Sequence, residues 1–108
     1  MGVHEELQID IKKSGEQNCD VKFTAKGRVT TLSAEKLDSY LSEMIKPETG
    51  TIILNMADVD LLTSVGIRVI LKTFKESRKE GIKFFIEAPS QNVRNVLGLS
   101  ALEAMLLK

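Results

Sequence analysis

Apolar residues recur along this chain with two periods, and the switches between them lay out its elements. Leu7, Ile9 and Ile11 alternate with Gln8, Asp10 and Lys12, the period of a half-buried strand. Ser14-Gly15-Glu16-Gln17-Asn18 has turn chemistry, and Val21, Phe23 and Ala25 then repeat the alternation against Lys22, Thr24 and Lys26 as far as Gly27. An antiparallel hairpin is the simplest pairing of these two strands. The period then becomes helical: Leu37, Leu41, Met44 and Ile45 form one stripe, Ser33 is the expected N-cap, Leu32 and Leu37 the expected hydrophobic staple, and Pro47 and Gly50 the stop.

Thr51-Ile52-Ile53-Leu54 is apolar without alternation, as in a central strand covered on both faces. A polar turn follows, and from Ser64 to about Glu80 the residues Ile67, Ile70, Leu71 and Phe74 recur at helical spacing before Gly81 closes the helix. Ile82 to Ile86 is a further strand. The intervening helix makes it parallel to the previous strand, with a right-handed crossover. Pro89 and Ser90 open a third helix carrying Val93, Val96 and Leu97, and Gly98-Leu99-Ser100 punctuates its end. The last apolar piece, Ala101 to Leu107, fits a short helix or an edge strand equally well. Residues 1–6 are expected as a flexible tail. The order predicts an α/β (α+β) fold: a small mixed sheet of four to five strands with helices packed on it.

Size and composition narrow the rest. With 108 residues and 43% hydrophobic content, the chain has room for one domain, residues 1–108, around one core. Fifteen basic residues balance fifteen acidic ones, so no nucleic-acid partner is indicated and the partner is expected to be a protein or a small molecule. A single cysteine, Cys19, and a single histidine, His4, offer neither an internal disulfide nor a zinc site. The N-terminal residues lack a basic segment followed by an apolar block, and no apolar run approaches the roughly 20 residues needed to span a bilayer. A cytoplasmic location and no direct membrane insertion are the expectations.

The chain is organised around Leu54 to Leu71, where an apolar strand passes through a short turn into an amphipathic helix, centred on Thr63-Ser64-Val65-Gly66. A hydroxyl at such a junction lies beside backbone N–H groups that lack intrahelical partners. Its plain reading is an N-cap worth about 1 kcal/mol, and its functional reading is a site that receives an anion. Hydrolysis by Ser64 would need a base, and the only histidine lies in the N-terminal tail. Asn55, Asp58 and Asp60 read as a solvated turn, since they lack the glycine and distal glutamate of a calcium loop. No glycine-rich phosphate loop occurs. No metal, no cofactor and no catalysis are therefore expected. Lys72, Lys75, Glu76, Arg78, Lys79 and Glu80 form a polar helix face, read as solvated, with docking as the alternative.

The segment Ile53-Leu54-Asn55-Met56-Ala57-Asp58-Val59-Asp60-Leu61-Leu62-Thr63-Ser64-Val65-Gly66-Ile67-Arg68 resembles the central motif of the STAS domain. That family is shared by anti-sigma factor antagonists of bacterial partner-switching systems and the cytoplasmic tails of sulfate transporters. Its pattern is a leucine-rich strand, a valine in the loop, then Asp-Ser-(Ser/Thr/Ala)-Gly-Leu-(Gly/Arg). Gly27 to Leu37 is similar to the family's Gly-Glu-Leu-Asp loop and first helix, and Val93 to Leu102 to its last helix.

The resemblance implies a STAS-like fold, Ser64 as the phosphoacceptor, and a partner surface formed by Thr63, Val65, Gly66, Ile67 and Arg68 with Thr30 and Thr31. The implied partner is a serine kinase that is also the anti-sigma factor, of the histidine-kinase-like ATPase type, with a serine phosphatase as a further candidate. Unmodified protein would bind the kinase and phosphorylated protein would release it. Two departures stand out: Thr63 replaces the aspartate before the acceptor, and Arg28 and Thr30 replace the acidic pair of the loop. They support the alternative of a non-switching STAS domain that serves as a scaffold or a subunit of another complex, such as a membrane transporter.

Overall fold

The structure, a computed structural model, describes residues 7–16 and 19–99. The expected N-terminal tail and the segment Ala101 to Leu107 lie outside the described residues. Four strands and three helices follow in the order β1 (Leu7–Ser14), β2 (Asp20–Val29), α1 (Ser33–Glu43), β3 (Thr51–Leu62), α2 (Ser64–Lys79), β4 (Lys83–Glu87) and α3 (Gln91–Leu99). The strands lie side by side in chain order, with β1 antiparallel to β2 and the pairs β2–β3 and β3–β4 parallel. The expected mixed sheet, hairpin and parallel crossover are all present.

β3 departs most from the sequence expectation. It continues to Leu62, so Asn55 to Asp60 belong to a strand and not to a turn. Its register against β2 shifts between Thr24 and Lys26, which face Asn55 and Asp58, and again between Gly27 and Arg28, which face Val59 and Leu61. At each shift β3 holds one residue more than its partner, the signature of a β-bulge. Each extra residue turns the strand's phase, so the buried positions run Ile52, Leu54, Met56 and then Val59 and Leu62. A spacing of two becomes a spacing of three, which is why the residues read as irregular. β2 likewise passes through Gly27, at φ 116°, and ends at Val29; a glycine there accommodates the distortion without ending the strand.

β3 is also less covered than expected: Ile52 and Leu54 are fully buried, whereas Thr51, Ile53 and Asn55 on the alternate positions are half-buried. On these alternate positions Lys22 Nζ reaches Glu87 Oε2 at 2.7 Å, and Asn55 Nδ2 donates to the same oxygen at 2.8 Å. The three side chains come from β2, β4 and β3, and tie those strands together.

α3 docks on the bulged part of β3. Ser90, its cap, accepts from Val93 N at 3.2 Å while donating to Val59 O at 2.5 Å, and Ser90 N donates to Met56 O at 3.1 Å. Asn92 Nδ2 donates to Asp60 O at 2.7 Å. Carbonyls in the bulged segment thus find partners on the next element. Val93 is fully buried, as expected.

α2 buries a stripe of small and medium side chains, Gly66, Val69, Ile70, Thr73 and Ser77. Of the expected stripe Ile70 is fully buried, whereas Ile67, Leu71 and Phe74 pack only partly against the core. Thr73 Oγ1 donates to Val69 O at 2.9 Å, whereas Ser77 Oγ is buried without a partner among the described residues. The helix ends in a Schellman motif at Gly81, φ 75°, with Ile82 N donating to Ser77 O at 2.8 Å and Gly81 N to Arg78 O at 3.2 Å.

Two outcomes follow from this packing. A Cβ on Gly66 would meet Val29 Cγ1 at 2.6 Å and Leu62 Cδ1 at 2.7 Å, so Gly66→Ala is expected to cost about 1–3 kcal/mol in urea unfolding. Hydrogen bonds from Lys22 and then Asn55 hold the Glu87 carboxyl below its ordinary pKa. A depressed carboxyl contributes stability above its unfolded pKa of about 4.3 and loses it as pH falls through the lower folded value. With side chains 42% and 30% exposed, the pair's contribution is small. Unfolding measured from pH 7 to pH 2 should show the stability gap between wild type and Glu87→Gln narrowing on the acid side.

Candidate functional site

The ends of β2 and β3 lie side by side, Val29 opposite Leu62, and this places Thr63 against the β2–α1 loop. Thr63 N donates to Val29 O at 3.1 Å, and Thr63 Oγ1 donates to the same carbonyl at 2.9 Å. That hydroxyl also accepts from Gly66 N at a long 3.5 Å. Thr63 is extended, φ −86° and ψ 171°, and is the N-cap of α2. The cap expected of Ser64 therefore belongs to its neighbour, whose β-branched side chain suits an extended residue ending a strand.

Ser64 becomes the first residue of the helix. It is exposed, and its hydroxyl has no hydrogen-bond partner among the described residues. The first turn of α2 carries no acidic side chain. Val65 and Ile67 are half-buried and lean on the core, Gly66 is buried, and Arg68 is exposed one turn beyond Ser64. Lys72, a turn further, bonds Asp38 of α1 at 3.0 and 3.1 Å. That hydrogen bond, followed by Asp38's charge, holds the Lys72 amine above its ordinary pKa.

The loop before α1 is closed by a reciprocal pair. Thr30 N donates to Ser33 Oγ at 2.8 Å, and Ser33 N donates to Thr30 Oγ1 at 3.2 Å. This is a capping-box arrangement with Thr30 in the cap role. Ser33, expected as the cap, is the first assigned helical residue and is buried, its hydroxyl donating to Arg28 O at 2.6 Å. The staple positions accordingly pass to Val29 and Ala34, both fully buried. Leu32, expected to close a staple with Leu37, is instead 78% exposed beside exposed Thr31. Sequence reasoning missed this exposed leucine. The usable signal was Thr30, three residues before a serine able to answer it.

The structure thus brings Thr30 and Thr31 to the same end of the sheet as Thr63, Ser64 and Arg68, joined through Val29 O. Asn55 does not gather with Asp58 and Asp60, because its amide nitrogen serves Glu87 and its Oδ1 accepts from Ala57 N at 3.0 Å. Among the described residues no group of three or more His, Cys, Asp or Glu side chains is placed to hold a metal ion, and no helix is long and apolar enough to cross a membrane.

Comparison with known proteins bears on the fold as a whole. The anti-sigma factor antagonist SpoIIAA in its unphosphorylated form superposes with a TM-score of 0.80 at 20% identity, over 93% of this chain and 86% of that one. The phosphorylated form of SpoIIAA, a Bacillus cell fate determinant, gives 0.75 at 19% identity over 93% and 89%. An anti-sigma factor antagonist from Mycobacterium paratuberculosis gives 0.79 at 16% identity over 93% and 82%. At these identities the likeness shows the fold. No curated protein sequence matches. The model of the STAS domain matches residues 9–107, nearly the whole length read above as one strand-turn-helix module with its flanking elements, and the chain belongs to the STAS domain family.

Proposed function

We propose that this protein is an anti-sigma factor antagonist of a partner-switching system, with Ser64 as its phosphoacceptor. The observation that carries the reading is the division of labour between two adjacent hydroxyls. Thr63 Oγ1 is engaged with Val29 O and Gly66 N, while Ser64, exposed at the first position of α2, has no partner for its hydroxyl among the described residues. A kinase approaching this end meets Ser64 and not Thr63.

A phosphoryl group on Ser64 adds about −1.5 to −2 charges and three acceptor oxygens. At the start of a helix, in a turn without acidic side chains, that charge is favourable to the fold by roughly 0.3–1 kcal/mol. A partner surface already docked over Thr30, Thr31, Thr63, Val65, Gly66, Ile67 and Arg68 would instead have to desolvate it. Modification then weakens binding while the domain stays folded. The proposed partner is a serine kinase and anti-sigma factor of the histidine-kinase-like ATPase type, with a serine phosphatase reversing the mark, and the proposed setting is the cytoplasm. The protein's own part is binding and not catalysis.

The threonine at position 63 sets the character of the surface. An ionised aspartate there could accept from Gly66 N–H but could not donate to Val29 O. With Arg28 and Arg68 present and no acid in residues 28–33 or 63–68, the surface suits a neutral or acidic partner face. The absence of acid also supports the second reading, a STAS domain that binds its partner constitutively as a scaffold or subunit.

Stability and binding separate these roles. Thr63→Ser is expected to keep wild-type stability, whereas Thr63→Val and Thr63→Asp each lose about 1 kcal/mol in urea unfolding, since neither can donate to Val29 O. Ser64→Asp should unfold at or slightly above the wild-type urea midpoint. In affinity capture from the source cells, a kinase-type ATPase identified by mass should remain on wild type and Ser64→Ala but leave Ser64→Asp, and added ATP should release wild type alone. Retention of the same partners by all three baits, with or without ATP, would leave Ser64 as a surface residue of a constitutive binding module.

A further inference from the structure

We propose that the outer edge of β1 is a self-pairing surface, on which two copies of this chain join into one continuous antiparallel sheet centred on Ile11. Among the described residues β1 is an edge strand, paired only with β2. Such an edge presents main-chain donors and acceptors to any strand of suitable pattern. It also carries Ile11, 40% exposed, which with Leu32 makes up the exposed large apolar residues among the described residues.

Charge selects the occupant and the register. Lys12 lies opposite Lys22 of β2, and Lys22 is engaged with Glu87. Asp10 lies opposite neutral Thr24. Neither Asp10 nor Lys12 has an ion-pair partner among the described residues. Their side chains share one exposed face of the strand, and a strand added at the open edge would lie directly opposite both.

A second β1 supplies it. When two copies pair antiparallel with Ile11 opposite Ile11, Asp10 of each faces Lys12 of the other, and both ion pairs form at once. The isoleucines meet on the opposite face. Only registers that shift by two residues keep the two sheets facing the same way. The neighbouring ones place Lys12 opposite Lys12 or Asp10 opposite Asp10, which repel. Lysines on an edge strand ordinarily discourage pairing; here Asp10 converts that discouragement into a choice of one partner and one alignment. An isologous contact of this kind closes on itself and ends at a dimer.

The test is sedimentation equilibrium of the full chain from micromolar to millimolar concentration at low salt, with circular dichroism to confirm that each variant is folded. Wild type should show a monomer–dimer equilibrium that weakens as salt rises. Asp10→Lys and Lys12→Asp should each weaken self-association about tenfold or more, by turning two attractions into two repulsions. Mixing the two variants should restore association as a one-to-one heterodimer, because a strand with lysine at both positions then meets a strand with aspartate at both. A wild type that stays monomeric throughout, or a dimer indifferent to both reversals, would overturn the proposal.

Discussion

Two extra residues in β3 are the constraint on which the rest of this structure depends. Without them the alternation of the strand would carry Val59 to the face opposite Met56 and Leu62. With them all three are buried, and the strand reaches the end of β2 with Leu62 opposite Val29. That alignment puts Thr63 within reach of the Val29 carbonyl. The same distortion is met from the other side by Ser90 and Asn92, whose side chains take the carbonyls of Val59 and Asp60. Strand irregularity, the docking of α3 and the placement of the helix cap are therefore one arrangement.

The consequence for the proposed site is a cross-linked platform at one end of the sheet. Gly66 lets α2 settle onto Val29 and Leu62, Thr63 fastens the helix to the β2–α1 loop, and Thr30 and Ser33 close that loop on itself. Segments far apart in sequence are thus tied into one surface by hydrogen bonds and packing within the chain. A pre-organised surface limits the ordering cost of binding. Under the proposed function, a single added charge on Ser64 would act on the docked partner directly, without a conformational relay.

The sequence was legible where a pattern is local and regular. The hairpin of β1 and β2, the parallel pairing of β4, the opening of α3 at Pro89 and Ser90 and the close of α2 at Gly81 all follow from periodicity or from one residue's chemistry. The position of Ser64 at the start of α2 was legible in the same way. What could not be read is what depends on register between strands: the bulges rephase Met56, Val59 and Leu62 to a spacing of three, which no strand template contains. The caps were misplaced by one to three residues for a related reason. In Thr63-Ser64 and in Thr30-Thr31-Leu32-Ser33 several hydroxyls compete for one role, and the winner is set by the tertiary position of Val29 O and Arg28 O. Leu32 was assigned inward because its assumed cap was the wrong residue of the pair.

The capping of α1 bears on selectivity at the platform. Thr30, Thr31, Ser33, Thr63 and Ser64 crowd this end of the sheet with five side chains of the same reactive type. Thr30, Ser33 and Thr63 are bonded to neighbouring main-chain groups, which leaves exposed Thr31 and Ser64 as the hydroxyls open to an incoming enzyme. Under the proposed switch, discrimination would work by subtraction: the fold removes most of the chemically equivalent targets from view, so a modifying enzyme would need less power of recognition of its own.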